Sequence, residues 1–212
     1  MDLKAAKQQL FQHLSWEVHN QRIIEAMKRV PREEFVPESQ RQFAYQDRPL
    51  SIGHGQTISQ PYIVALMLEA MQLEPTDKVL EVGAGSGYVA AILGELVAKV
   101  ISVEIIPELA ESARSVLSRL GYRNVEIHVV PRTVLGWVSE APYDAILVSA
   151  GAPDIPQMLL GQLKWHGRLV IPVGSRWQQQ LLRITHLPEG DRVEDLGTCY
   201  FVPLIGEGAW QE

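Results

Sequence analysis

The stretch Val79-Leu80-Glu81-Val82-Gly83-Ala84-Gly85-Ser86-Gly87 constrains the fold more than any other part of the chain. Lys78 to Val82 is a short apolar run of the kind that forms a strand buried on both faces. Three glycines at alternate positions follow, and then Tyr88-Val89-Ala90-Ala91-Ile92-Leu93, which reads as a helix. Strand, glycine turn and helix make the first unit of a nucleotide-binding α/β sheet. Glycines let the backbone turn sharply and let a ligand approach it with no Cβ in the way. A second unit follows at once, because Lys99-Val100-Ile101-Ser102-Val103 reads as the next strand and ends in Glu104. That acid lies about 20 residues past the glycines, the spacing at which a carboxylate accepts hydrogen bonds from ribose hydroxyls.

The third glycine does not fit the dinucleotide fingerprint, which spaces its glycines as Gly-x-Gly-x-x-Gly. Glu81, two positions before the first glycine, would repel a pyrophosphate and suits a ligand that carries an ammonium group. S-adenosylmethionine has an ammonium and no phosphate. The formal charge of −6 argues against a dedicated nucleic-acid binder, which would show a basic face. The single cysteine, Cys199, cannot form an internal disulfide, which fits a reducing cytoplasm. No signal-peptide core follows Met1-Asp2-Leu3-Lys4, and no apolar run is long enough to span a membrane. A cytoplasmic chain with no membrane or nucleic-acid partner is therefore expected, with a monomer favoured. The six histidines lack zinc-ligand spacing, so no metal is expected.

At 212 residues the chain fits one domain, residues 1–212. Within it, residues 1–50 read as a helical N-terminal extension and 51–212 as the sheet-containing core. Leu3, Ala6, Leu10, Leu14 and Val18 recur at helical spacing, and Ile23, Ile24, Met27 and Val30 resume the pattern after a polar break near Asn20. Ser51 to Pro61 reads as a loop running into a helix, with Pro61 in its first turn. Ser59 and Thr57 either cap that helix or belong to a helix start that holds a carboxylate, since helix N-termini favour anions. Further on, helices are expected over 107–120 and 155–163, and strands over 125–130, 143–148, 168–173, 180–187 and 198–205. This alternation predicts a doubly wound, mostly parallel sheet with an antiparallel addition at the C-terminal end. Gly83 to Gly87, Glu104, Pro131 to Thr133 and Ser149 to Pro153 should share the carboxyl edge, where ligands bind.

Read together, these segments resemble the protein-L-isoaspartate O-methyltransferase family. Val30-Pro-Arg-Glu-Glu-Phe-Val36 is similar to its N-terminal motif, and Gly53-His-Gly-Gln-Thr-Ile-Ser-Gln-Pro61 to its most distinctive segment. Val79 to Tyr88 resembles the methyltransferase cofactor loop. Ala141-Pro-Tyr-Asp-Ala-Ile146, Leu169-Val-Ile-Pro-Val-Gly174 and Phe201-Val-Pro-Leu204 also fall where the family has them. The resemblance implies a Rossmann-like fold and S-adenosyl-L-methionine as cofactor. It implies methylation of the free carboxylate of isoaspartyl residues in damaged proteins and peptides, the step that initiates their repair. By position, Ser59 would be the active-site residue that contacts the substrate carboxylate. Gln56 and Thr57 would close over the cofactor, Glu81, Gly83, Gly85, Ser86 and Gly87 would hold its methionine end, and Glu104 its ribose.

One segment departs from the pattern. Where the family usually has Gly-Asp-Gly after the third strand, this chain has Pro131-Arg132-Thr133. The expected acceptor for the adenine amino group is replaced by a cation, and Pro131 has no N–H. Two other readings stand on that departure: a non-catalytic descendant acting as a binding protein, and a methyltransferase for another carboxylate. His54 reads as a loop residue with no special role, and Tyr200 and Trp210 either cover the cofactor or pack.

Overall fold

The structure, a computed structural model, describes residues 2–211; Met1 and Glu212, the ends of the expected domain, lie outside the described residues. Two helices open the chain. In α1 (Leu3–Glu17) the Asp2 side chain caps the first turn through Lys4 N, and in α2 (Gln21–Arg29) Asn20 does the same through Arg22 N. The polar break expected near Asn20 is that second cap. Leu10, Phe11, Leu14, Ile23, Ile24 and Met27 face the core. Two 3-10 turns follow, Arg32–Phe35 and Glu38–Phe43.

The stretch read as a loop before the next helix is a small hairpin, β1 (Leu50–Gly53) and β2 (Gln56–Ile58). Leu50 opposes Ile58, and both are buried, which fastens the hairpin to the body. Its tip, Gly53-His54-Gly55, takes left-handed backbone angles throughout, with φ of 90°, 52° and 71°. Helix α3 (Pro61–Ala70) leaves the hairpin directly.

The central sheet then forms by alternation: β3 (Lys78–Val82), α4 (Tyr88–Leu96), β4 (Lys99–Glu104), α5 (Pro107–Arg119), β5 (Val125–Val129), β6 (Tyr143–Val148), α6 (Gln157–Leu160), β7 (Leu163–Gly174), β8 (Gln179–Thr185) and β9 (Arg192–Cys199). Strand order is β5-β4-β3-β6-β7-β8-β9. The first five strands are parallel, β8 is antiparallel to β7, and β9 is antiparallel to β8. The chain winds outward from β3 to β5, then returns to the other side of β3 as β6. The loops after β3 and β6 therefore diverge, and a crevice opens between them at the carboxyl edge. Alternate residues of β3 feed different cores: Val79 faces the layer of α1 to α5, while Leu80 and Val82 face α6 and the loops of the second side.

Three expected elements are corrected. The helix over 155–163 is the single turn α6, bracketed by Pro156 and Gly161, because the chain enters β7 already at Leu163. Strand β7 is correspondingly longer than the apolar run 168–173. The strand over 198–205 is not formed. Strand β9 lies earlier, at the sheet edge with most of its side chains in solvent, so Arg192, Glu194 and Asp195 mask it from an apolar pattern. Residues 200–205 instead form a strap across the carboxyl edge. Gly151 N donates to Val202 O at 2.8 Å, and Leu204 N to Gly151 O at 2.9 Å.

Candidate active site

At the centre of the edge, β3 delivers Glu81 beneath the glycine loop. Its strand partner in the β3–β4 register is Ser102, whose hydroxyl donates to Glu81 Oε2 at 2.5 Å. The other oxygen, Oε1, is buried with no partner. Burial pushes the carboxyl up to about 8; the Ser102 hydroxyl opposes that rise and the charge of Glu104 adds to it. A buried carboxylate oxygen without a donor is costly in free energy, and an ammonium group would satisfy it. Glu104, at the end of β4, accepts from Gly85 N at 2.8 Å, Ile105 N at 2.8 Å and Ile106 N at 3.0 Å. Those three bonds use most of the roughly four lone-pair positions of a carboxylate and leave one for a ligand. They also tie the glycine loop to the neighbouring strand.

The glycines serve separate ends. Gly85 takes φ +51, and a Cβ there would stand 3.3 Å from Ile52 of the hairpin. Gly87 has a different function from its neighbours. It does not line the crevice; a Cβ on it would meet Ala113 Cβ at 3.0 Å, so its bareness lets α4 approach α5. Gln56, Thr57, Ser59, Glu81, Gly83, Gly85, Ser86 and Glu104 all line one cleft of about 910 Å3 including its open mouth. The strap closes one side with Val202 to Ile205, and Val130, Val134 and Leu135 close the end beyond β5. Among the described residues no Lys, Arg or His lines the cleft. That donor set is wrong for a pyrophosphate and fits a cationic ligand facing Glu81.

The Ser59 segment is built by residues far away in sequence. The cap of α3 is neither Ser59 nor Thr57: Gln60 is the N-cap residue and makes no side-chain cap bond. Asp47 serves instead, accepting from Tyr62 N at 2.9 Å and from Gln60 Nε2 at 3.0 Å. From the other side, Arg32 Nη2 donates to the Ser59 carbonyl at 2.8 Å. The Ser59 side chain is thus free of capping duty. It lies where the first cleft meets a second groove of about 780 Å3, lined by Pro49, Gln60, Ile63 and Thr198 to Phe201. Thr57, Ser59, Ser149 and Val202 line both.

Pro131-Arg132-Thr133 forms a turn closed by Val134 N to Pro131 O at 2.9 Å, and none of the three lines the cleft. The cleft end next to them is walled by the apolar Val130, Val134 and Leu135. Of the two C-terminal aromatics, Tyr200 is exposed on the rim of the second groove, while Trp210 packs under Arg176 at 5.0 Å and lines neither cavity. His54 lines neither. Arg32, Asp47 and Ser102 were missed as site-building residues, since only their tertiary partners mark them. The strap's apolar Phe201-Val-Pro-Leu204 was a usable signal, read as a strand.

A parallel sheet with a ligand crevice at its strand reversal, carboxylates at the ends of β3 and β4, and no cation in the lining define a Rossmann-like methyltransferase. The chain belongs to the protein-L-isoaspartate(D-aspartate) O-methyltransferase family, whose model matches residues 5–209. It is 55% identical over 196 residues to protein-L-isoaspartate O-methyltransferase of Syntrophus aciditrophicus, covering 91% of this chain and 89% of that one. With the enzyme of the same name from Rhodopseudomonas palustris it shares 52% identity over 197 residues, covering 92% and 90%. A crystal structure from Plasmodium falciparum, described as that of a candidate protein-L-isoaspartate O-methyltransferase in complex with S-adenosyl-L-homocysteine, superposes with a TM-score of 0.79 at 27% identity, over 92% of this chain and 96% of that one.

Proposed function

We infer that this chain transfers a methyl group from S-adenosyl-L-methionine to the free carboxylate of L-isoaspartyl residues in proteins and peptides. The observation that carries the mechanism is the junction of two cavities at Ser59. One suits a cationic donor and the other is open to an extended chain. S-adenosyl-L-methionine supplies, when bound, a methyl group already activated on a sulfonium. An ionised carboxylate is already a nucleophile, so the protein's task is placement and exclusion of water. Such placement is worth roughly 7–11 kcal/mol.

In this reading Glu81 takes the ammonium of the cofactor, and Glu104 takes a ribose hydroxyl at its remaining acceptor position. Gly83, Gly85 and Ser86 bring the backbone close, and Gln56 and Thr57 form the hairpin wall. Gly87 contributes by packing. Ser59 orients the acceptor carboxylate at the junction. Residues 1–212 act as one methyltransferase domain, with residues 1–50 buttressing the site through Arg32 and Asp47. Cytoplasmic residence suits Cys199, which is unpaired and buried; among the described residues no helix is long and apolar enough to cross a membrane.

The test is methyl transfer from labelled cofactor to a short isoaspartyl peptide, with its aspartyl twin as control. Base-labile label on the isoaspartyl peptide alone is the expected result; label on neither, at saturating cofactor, overturns the reading. Ser59→Ala should lower kcat/KM by about ten- to hundredfold, the scale of a hydrogen bond to a charged group. Its affinity for S-adenosylhomocysteine should stay unchanged, and an equal loss of both would remove Ser59 from the acceptor.

A further inference from the structure

The group to be methylated is an anion, yet among the described residues neither cavity has a Lys, Arg or His in its lining. The cation bonded to the acceptor segment lies one layer behind. Arg32 is 0% exposed, and its Nη2 donates to the Ser59 carbonyl at 2.8 Å. Nε donates to the Ala44 carbonyl at 2.8 Å, and the guanidinium stands 4.8 Å from the centre of the Tyr88 ring. Tyr88 itself lines the donor cleft. Nη1 is buried with no hydrogen-bond partner, and no carboxylate lies within ion-pair distance of Arg32 among the described residues. Buried charges are as a rule paired with a counter-ion. The negative charge that acts on it, Asp47, does so from beyond ion-pair distance, so no direct counter-ion neutralises the guanidinium and part of its field reaches its surroundings.

We propose that Arg32 is a positioning residue for the acceptor, holding the Ser59 segment by its carbonyl and lending the substrate carboxylate a positive field without touching it. The proposal rests on the reading of Ser59 as the acceptor contact. The chemistry favours a cation set back in this way. As the carboxylate oxygen bonds to the methyl carbon, the carbon–sulfur bond breaks and its electron pair stays on sulfur. Negative charge on the acceptor and positive charge on the donor vanish together. A guanidinium paired directly with the carboxylate would occupy the attacking lone pairs and oppose that loss of charge. A cation one residue behind favours binding of the anion and leaves its oxygen free.

Arg32→Gln removes the charge and keeps a donor, while Arg32→Lys keeps the charge and loses the fork. Steady-state kinetics with an isoaspartyl peptide, S-adenosylhomocysteine affinity by calorimetry and thermal melting are measured on each. Arg32→Gln should raise the peptide KM by about tenfold or more, the scale of a unit charge acting across one residue at a protein-like dielectric. S-adenosylhomocysteine affinity should hold, and Arg32→Lys should recover most of the lost KM. Equal impairment of both variants, or an unchanged KM in a cooperatively melting Arg32→Gln protein, overturns the proposal.

If Arg32→Gln does not melt cooperatively, Arg32→Lys carries the test through competing peptides that differ only in bearing the free α-carboxylate of the isoaspartyl residue or the corresponding α-carboxamide. The acid should outcompete the amide in the variant as in the natural protein; loss of that preference with the charge retained overturns the proposal. Ser59→Ala separates the two assignments. If it leaves kcat/KM for the peptide unchanged, the Ser59 reading falls. If it raises KM where Arg32→Gln does not, Arg32 alone is excluded.

Discussion

Glu81 is held under strain of a chemical kind: it is a carboxyl that burial keeps protonated up to about 8, in a cleft whose proposed ligand needs it ionised. The sign of the pH dependence follows. Below that value the free protein holds a proton that must leave before an ammonium can pair with Glu81, so ligand binding competes with protonation. Affinity for S-adenosylhomocysteine should therefore fall about tenfold per pH unit below 8, while the ligand amine stays charged. Calorimetry in buffers of differing ionisation heat should register the released proton. Glu81→Gln should flatten this profile and weaken binding by about 1.5–3 kcal/mol, the worth of a charge-assisted hydrogen bond. A flat profile in the natural protein would show that Glu81 is already ionised. Stability without ligand runs the other way: the folded state binds the extra proton, so stability declines as pH rises from the ordinary carboxylate range toward 8. Glu81 and Glu104 were legible in the sequence because they sit at fixed distances from the glycines. Ser102, Arg32 and Asp47 were not, since nothing local distinguishes a buried arginine bonded to a carbonyl 27 residues away from a solvated one.

Elements were readable where burial imposes a period and obscured where it does not. Strands β3, β4 and β6 are buried on both faces and appear as near-continuous apolar runs, interrupted by single polar residues such as Glu81 and Ser102. Strand β9 has one neighbour and mostly exposed side chains, so its pattern is that of a surface. The β1–β2 hairpin is too short for a period, and its glycine-rich tip reads as loop. Helix α3 shows the same division. Pro61 and the apolar face announced it, but its cap comes from Asp47, outside the reach of a local rule. Asp47→Ala should cost about 1 kcal/mol, the usual worth of a helix cap, and lower Tm by roughly 2–4 °C in a chain of this size. Asp47→Asn should retain most of that, because an amide oxygen can still accept from Tyr62 N. Equal melting of the natural protein and the Ala variant would show that water replaces the cap at no cost.

At the scale of the whole molecule, the strap of residues 200–205 completes a site that the sheet alone leaves open. The strap hangs from Gly151 and from Gln179, a buried side chain whose Oε1 accepts from Phe201 N at 2.8 Å and whose Nε2 donates to Ser175 O at 2.5 Å. Gln179→Ala should destabilise the protein by about 1–3 kcal/mol through the groups left unpaired. It should also speed hydrogen exchange at residues 201–204 more than in β3 and β4, as mass spectrometry of exchanged peptides would reveal. Uniform acceleration would mean the strap has no separate opening. The second groove, between strap and hairpin, carries a further consequence. Among the described residues its walls hold proline, hydroxyls, amides, a thiol and apolar groups but no charge. A wall without charge neither attracts nor rejects the neighbours of the residue it receives. What it does demand is a length of chain free to be laid into it. On the function proposed above, the choice of client then passes from the enzyme to the damaged protein: a lesion on a frayed terminus or loop is accessible, while the same lesion locked in a helix goes unserved until that helix opens.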